Sequence, residues 1–340
     1  MKSLLGLDIG SHSIKLIEIE QDSKGPILRA AGSIPALTKE LSSNLPADQQ
    51  AVALAIQKLI KDAGAKSDQV NIALPEAQVF TRVIEVPQLS DRELSSAIQW
   101  EAEQYIPLPL DQVNLDYSVL RDSRETGTNK MDVLLVAAPK VLLDKYLTFL
   151  ELAELTPVAA ETEIIASTRA LARATSDIKA TMIASIGAKT TDLAILRNGI
   201  LVFTRSISAG GEAISRSLVQ GFDFSPGQAE EYKRTYGLQS DKLEGKIVAT
   251  VKPIMDTIIN EMKRAIAFFQ EKYKEERVGA IILSGGSAKL PGMIVYVAES
   301  MGIETQLANP WVGIRRESRF QVLDKEGPVF GVAVGLALRE

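Results

Sequence analysis

Asp8-Ile9-Gly10-Ser11-His12-Ser13-Ile14-Lys15 brings an acid, a glycine and small hydroxyl side chains together directly after the apolar run Leu4–Leu7. At a turn between two strands, Gly10 lets the backbone approach an anion, and the N–H groups and hydroxyls of Ser11, His12 and Ser13 can donate to phosphate oxygens. Asp8 is the acid placed to reach a bound cation, for which Mg2+ on a phosphate is the natural candidate. The order recurs in Ser185-Ile186-Gly187-Ala188-Lys189-Thr190-Thr191-Asp192, after another apolar run. A third run, Ala280–Leu283, ends in Ser284-Gly285-Gly286-Ser287, a turn nearly free of side chains and therefore suited to an adenine ring. Gly210-Gly211-Glu212 opens a helix that can line base and ribose, with Glu212 and Arg216 one turn apart on one face. Each piece has a plain structural reading: Asp8 as a turn acid, Gly187 as a hairpin residue, Gly285-Gly286 as a bend. His12 reads as a loop residue beside the phosphates rather than a base, and Lys15 can face either the phosphates or solvent. Order and spacing carry the joint reading of two jaws closing on one ATP.

The elements that position these turns follow from periodicity. Leu4–Asp8 and Ser13–Glu20 alternate as strands, whereas 32–46 reads as irregular surface chain. Pro46–Ala63 is a helix with Val52, Ile56, Leu59 and Ile60 on its apolar stripe and Gly64 as terminator. After strand 70–74 the character changes: strand 80–86, a helix opened by the capping box Ser90-Asp91-Arg92-Glu93, strands 114–121 and 131–138, and helix 141–155. This reads as a compact α+β insertion over 76–158. Helix 163–174 follows, then a meander 181–207 with Asn198-Gly199 as its hairpin turn. Ser225-Pro226 starts a helix that Gly237 ends. Pro253 suggests a break or late start in the helical stretch 243–274. The implied organisation is a first lobe (1–75 plus 159–180), the insertion (76–158), a second lobe (181–212 plus 278–340) and a helical flank (213–277).

Bulk properties narrow the function. A chain of 340 residues exceeds the size at which one core usually keeps growing, so several domains are expected. The net charge of -5 argues against a nucleic-acid binder. With no cysteine and a single histidine, disulfide scaffolds, thiolate chemistry and His clusters are excluded, and a His-based triad is disfavoured. The opening residues are too short in apolar character for a signal peptide, and no stretch reaches the roughly 20 apolar residues of a spanning helix. A cytoplasmic location is expected, with any membrane contact made through a partner.

These turns and elements together resemble the actin-like ATPase superfamily, over nearly the whole chain. Asp8–Ser13 is similar to its first phosphate loop, Ser185–Thr191 to its second, and Ser284–Gly292 to its adenosine motif. Glu161–Leu171 and Gly327–Ala337 are similar to its two connecting helices. The resemblance implies an α/β fold of two RNase H-like lobes flanking a nucleotide cleft. An insertion splitting the first lobe is similar to the FtsA branch. Within that branch Leu5–Lys15, Trp100-Glu101-Ala102-Glu103-Gln104-Tyr105-Ile106-Pro107 and Gly210–Arg216 resemble the PilM family of type IV pilus assembly proteins. That resemblance implies ATP binding and recruitment by the cytoplasmic N-terminal tail of PilN, held between first lobe and insertion. It also implies a place in the inner-membrane platform beside the motor ATPases, and self-association is compatible with it. Hydrolysing relatives commonly carry Asp where this chain has Ser185, so turnover is expected to be slow or absent while binding persists. Glu161 is the candidate acid for orienting water, with Glu163 as the alternative. Two other functions stay open: an FtsA-like division protein, disfavoured because no amphipathic anchor follows Gly335–Glu340, and a small-molecule kinase, disfavoured because no acceptor-activating acid is recognisable.

Overall fold

The computed structural model describes residues 2–339; Met1 and Glu340, which open and close the chain, lie outside the described residues. Strands β1 (Lys2–Ile9), β2 (Ser13–Asp22) and β3 (Gly25–Pro35) form an antiparallel meander. Helix α1 (Thr38–Ser42) and α2 (Pro46–Ala63) then cross to β4 (Gln69–Leu74), parallel to β1. The chain leaves this sheet for β5 (Phe80–Pro87), α3 (Asp91–Tyr105), β6 (Val113–Arg121), α4 (Ser123–Thr126) and β7 (Lys130–Pro139). It returns through α5 (Lys140–Leu152) to β8 (Thr156–Thr162), parallel to β4. Helix α6 (Glu163–Ala172) leads to a second meander of β9 (Ala180–Ile186), β10 (Thr191–Arg197) and β11 (Ile200–Ile207). Helices α7 (Gly211–Phe222), α8 (Pro226–Tyr236) and α9 (Lys246–Lys272) follow. Strand β12 (Ala280–Ser284), α10 (Met293–Met301), β13 (Glu304–Leu307) and α11 (Gly327–Ala337) complete the chain.

The two five-stranded sheets, β3-β2-β1-β4-β8 and β11-β10-β9-β12-β13, share one connectivity: an antiparallel meander followed by two parallel strands. The insertion is a separate three-stranded sheet, β5-β7-β6. Helices α6 and α11 run between the two large sheets, where Ile164, Leu171, Phe330 and Val334 share one apolar cluster with Ile17, Ile183 and Ile282. Close helix contact requires Gly335, because a Cβ there would stand 1.8 Å from the Ala166 carbonyl oxygen.

Three local expectations are corrected. The stretch 32–46 is not irregular: β3 runs to Pro35 because Leu28 and Ala30 bury alternate positions, and α1 follows. Helix α9 passes through Pro253 unbroken. Pro253 is exposed, and the stripe from Val251 to Phe269 buries enough apolar surface to offset the missing bond, worth about 3 kcal/mol. Finally, α5 does not belong to the insertion's core: Tyr146, Phe149 and Leu150 pack with Leu5, Leu7, Val52 and Ile72 of the first lobe. The insertion's own core is Ile84, Leu94, Ile98, Val133 and Leu135, held by α3, whose capping box forms as Ser90 N–H donates to Glu93 at 2.9 Å.

Candidate functional site

A cleft of about 740 Å³ opens between the lobes, and four glycine turns converge on it. The first and second turns close the same way: Gly10 N–H donates to the Ser13 carbonyl at 3.2 Å, and Gly187 N–H to the Thr190 carbonyl at 2.9 Å. The start of α7 is tied to the second turn, with Gly211 N–H on the Gly187 carbonyl (2.9 Å) and Glu212 N–H on that of Ala188 (2.8 Å). Gly285 N–H donates to the Pro328 carbonyl at 2.7 Å, fixing the fourth turn on the start of α11. Its φ of +83° and an ideal Cβ position only 2.5 Å from the Ile186 carbonyl oxygen require glycine there.

Nearly every expected residue lines this cleft: Asp8, Gly10, Ser11, His12, Ser13, Lys15, Gly187, Ala188, Lys189, Thr190, Gly211, Glu212, Gly285, Gly286 and Ser287. Gly210 does not; it lies behind the second turn, where a Cβ would press at 2.8 Å on the carbonyl oxygens of Gly187 and Ala188. Lys15 faces inward, its ammonium 2.9 Å from an Asp8 carboxylate oxygen. Glu161 is the clear correction. It sits on β8 outside the cleft, accepting from Arg169 (2.7 Å) and Arg339 (3.0 Å) in a buried ion-pair cluster. Glu163, two residues on at the start of α6, is the acid that reaches the cleft.

The pseudo-symmetry of the sheets explains a second acid that the motif left unused. Asp8 pairs across β1–β2 with Lys15, and Ser185 pairs across β9–β10 with Asp192. In the second lobe the carboxylate therefore stands on the outgoing strand rather than the incoming one. Asp192 is buried, accepts from Ser206 and from Thr190 (3.3 Å), and burial pushes its carboxyl up to about 6. Glu163 is raised well above the usual range by burial, then by repulsion from Asp192 and Asp8. Glu76, whose backbone N–H lies 3.4 Å from Glu163, is raised by burial to about 7. Asp8, Glu163 and Asp192 thus line one floor of the cleft beside Lys15, with Glu76 packed behind Glu163, a field that favours an added positive charge. No group of three or more His, Asp or Glu side chains among the described residues is arranged to hold a metal alone.

On the opposite wall Lys233 is buried, donating to the Gly211 carbonyl (3.1 Å) and Ser215 (2.8 Å), and it pairs with Glu230. Lys233 and Arg234 hold the Glu230 carboxyl near 2 against the opposing effect of its partial burial. Neither residue was expected from sequence; the only available signal was a lysine at a buried i+3 position after a glutamate on α8.

Two similar sheets, two crossing helices and glycine turns around one cleft define an actin-like fold. The resemblance to solved structures agrees on the fold: MreB5 of Spiroplasma citri bound to AMPPNP superposes with a TM-score of 0.51 at 13% identity, over 98% of this chain and 95% of that one. A family model described as type IV pilus assembly protein PilM matches residues 6–340, and the chain belongs to that family. Among solved structures, the PilM–PilN type IV pilus biogenesis complex contains a chain with a TM-score of 0.87 and 30% identity, over 99% of this chain and 98% of that one. The cell division protein FtsA of Streptococcus pneumoniae is 26% identical over 94% of this chain and 78% of its own length. No described helix is long and apolar enough to cross a membrane.

Proposed function

We propose that this chain is an ATP-binding scaffold and switch of the type IV pilus inner-membrane platform, and that it holds the cytoplasmic N-terminal tail of PilN. One observation carries the nucleotide half: the four glycine turns expected from sequence meet at one cleft between two lobes. Membership of the PilM family and likeness to a PilM–PilN complex support the partner half. The tail would lie between the first lobe and the insertion, which keeps the chain peripheral to the membrane and beside the motor ATPases.

The residues present fit ATP with Mg2+. The free N–H groups and hydroxyls of the Gly10–Ser13 and Gly187–Thr190 turns are donors for phosphate oxygens. Asp8 and Asp192 would supply the negative field for the cation, with phosphate and water as its other ligands. Gly285, Gly286 and Ser287 offer a flat backbone to the base, opposite Glu212, Glu230 and Lys233. Bound magnesium would neutralise charge on the phosphates. The chain's own acids are less suited to turnover: Ser185 carries no charge, and burial with repulsion from Asp192 and Asp8 pushes the Glu163 carboxyl upward, which disfavours its charged form. Slow or absent hydrolysis follows.

Calorimetric titration with Mg-ATP tests this. A Gly187→Val substitution puts a branched side chain into the second turn, where the Cβ alone would already stand a tight 3.2 Å from the Thr190 carbonyl oxygen. The wild-type chain should bind saturably, and the variant about tenfold more weakly or worse, a loss of about 1.4 kcal/mol. No heat of binding from the wild type would remove the nucleotide half of the proposal.

A further inference from the structure

The insertion hangs from the first lobe by its chain connections, yet its polar rim is clasped by the second lobe. The Lys272 ammonium, at the end of α9, lies 2.6 Å from Glu85 on β5 and 3.9 Å from Asp132 on β7. Arg121 on β6 donates to Asp132 at 2.8 Å and to the Tyr273 hydroxyl at 3.2 Å. The Arg197 guanidinium lies 4.7 Å from the centre of the Tyr273 ring, and Arg197 in turn pairs with Glu276 at 2.7 Å. Below this rim Val83, Leu120 and Leu134 of the insertion share an apolar cluster with Leu196 and Leu201 of the second sheet. A second contact ties the same strand to the cleft. Thr204 on β11 donates to the Thr81 carbonyl at 3.3 Å, and Ser206, two residues further along β11, donates to Asp192.

We propose that the Lys272–Glu85–Asp132–Arg121–Tyr273 cluster is a latch between the second lobe and the insertion. A change in the angle between the lobes must then be taken up by the insertion or break the latch. The reading of the cleft as a nucleotide site enters only as the source of that change; the latch stands on contacts in the chain itself. Linked ion pairs of this kind, part-exposed at Lys272 and Glu85 and buried at Arg121 and Asp132, set orientation more than they add stability. Their geometry has two discrete states, made and broken, as a coupling element requires.

Lys272→Met tests the latch cleanly, because Asp132 keeps Arg121 and Glu85 keeps Lys130 at 3.4 Å, so no charge is stranded. Arg264→Met, removing an exposed charge from the same helix, is the control. Hydrogen exchange on the full chain without nucleotide should show Phe80–Pro87 and Val113–Arg121 exchanging about tenfold faster in Lys272→Met than in wild type or control. Equal exchange in all three overturns the latch, whether or not the cleft binds ATP. With saturating Mg-ATP, binding itself being followed by the shift in melting temperature, the same two segments should change protection in wild type and not in Lys272→Met. A change of equal size in both proteins overturns the coupling role.

Discussion

Asp8 and Asp192 stand on opposite members of equivalent strand pairs, and that exchange of position shapes what the cleft can do. Ser185 removes a charge from the second turn, while Asp192 restores one across the ladder, inside a hydrogen-bonded and buried setting. The cost appears in the protein without ligand. Glu76 is raised to about 7 by burial, and one of its carboxylate oxygens has no hydrogen-bond partner. A carboxyl raised in the folded state supports folding fully below its unfolded value of 4.5, and that support is lost as pH rises through about 7. Chemical denaturation of Glu76→Gln should therefore show a gain in stability at pH 8, on the order of 2–3 kcal/mol, that vanishes near pH 4. A gain of equal size at both pH values would show that Glu76 is not titrating in this window. The glycine turns that line the cleft were legible because each directly follows an apolar strand run, in the same order in both halves of the chain. The choice between Glu161 and Glu163 was not legible. The two acids flank the boundary between β8 and α6, two residues apart, and only the ion pairs to Arg169 and Arg339 show that Glu161 is engaged elsewhere.

Elements were read well where periodicity and caps agreed, as in α2, α3 and α8. The last is capped by Ser225, which accepts from Gln228 N–H at 3.3 Å. They were misread where tertiary burial overrode local signals. Pro253 looks like a break until its exposure on the outer face of α9 is known, and β3 is short of β-branched residues, so its alternation is weak. Helix α5 follows β7 directly after Pro139 but packs on the first sheet, a partition that no local pattern reveals. Leu150→Ala should cost about 2–5 kcal/mol, as removal of a fully buried leucine does. Exchange measurements on this variant should show faster opening across β1, β4 and α2. Faster opening confined to β5, β6 and β7 would return α5 to the insertion.

At the scale of the molecule, two lobes of shared connectivity are joined by α6 and α11 and tied by further contacts. Arg315 of the second lobe pairs with Asp22, and its backbone bonds the β3 edge at Pro26 and Leu28; Lys272 and Tyr273 clasp the insertion. The general plan of two lobes and an insertion was readable from repeated motifs and their order. The ties between them were not, since they join residues that lie far apart in sequence. If the cleft takes a nucleotide and the PilN tail lies between the first lobe and the insertion, as proposed, the second lobe's clasp on the insertion couples the two whenever the lobes move. Titrating a synthetic peptide of the PilN cytoplasmic tail into the full chain, with and without saturating Mg-ATP, tests that most directly. One-to-one saturable binding whose affinity differs by about fivefold or more between the two conditions is the predicted result. The absence of saturable binding in both conditions, or identical affinities in the two, would contradict it.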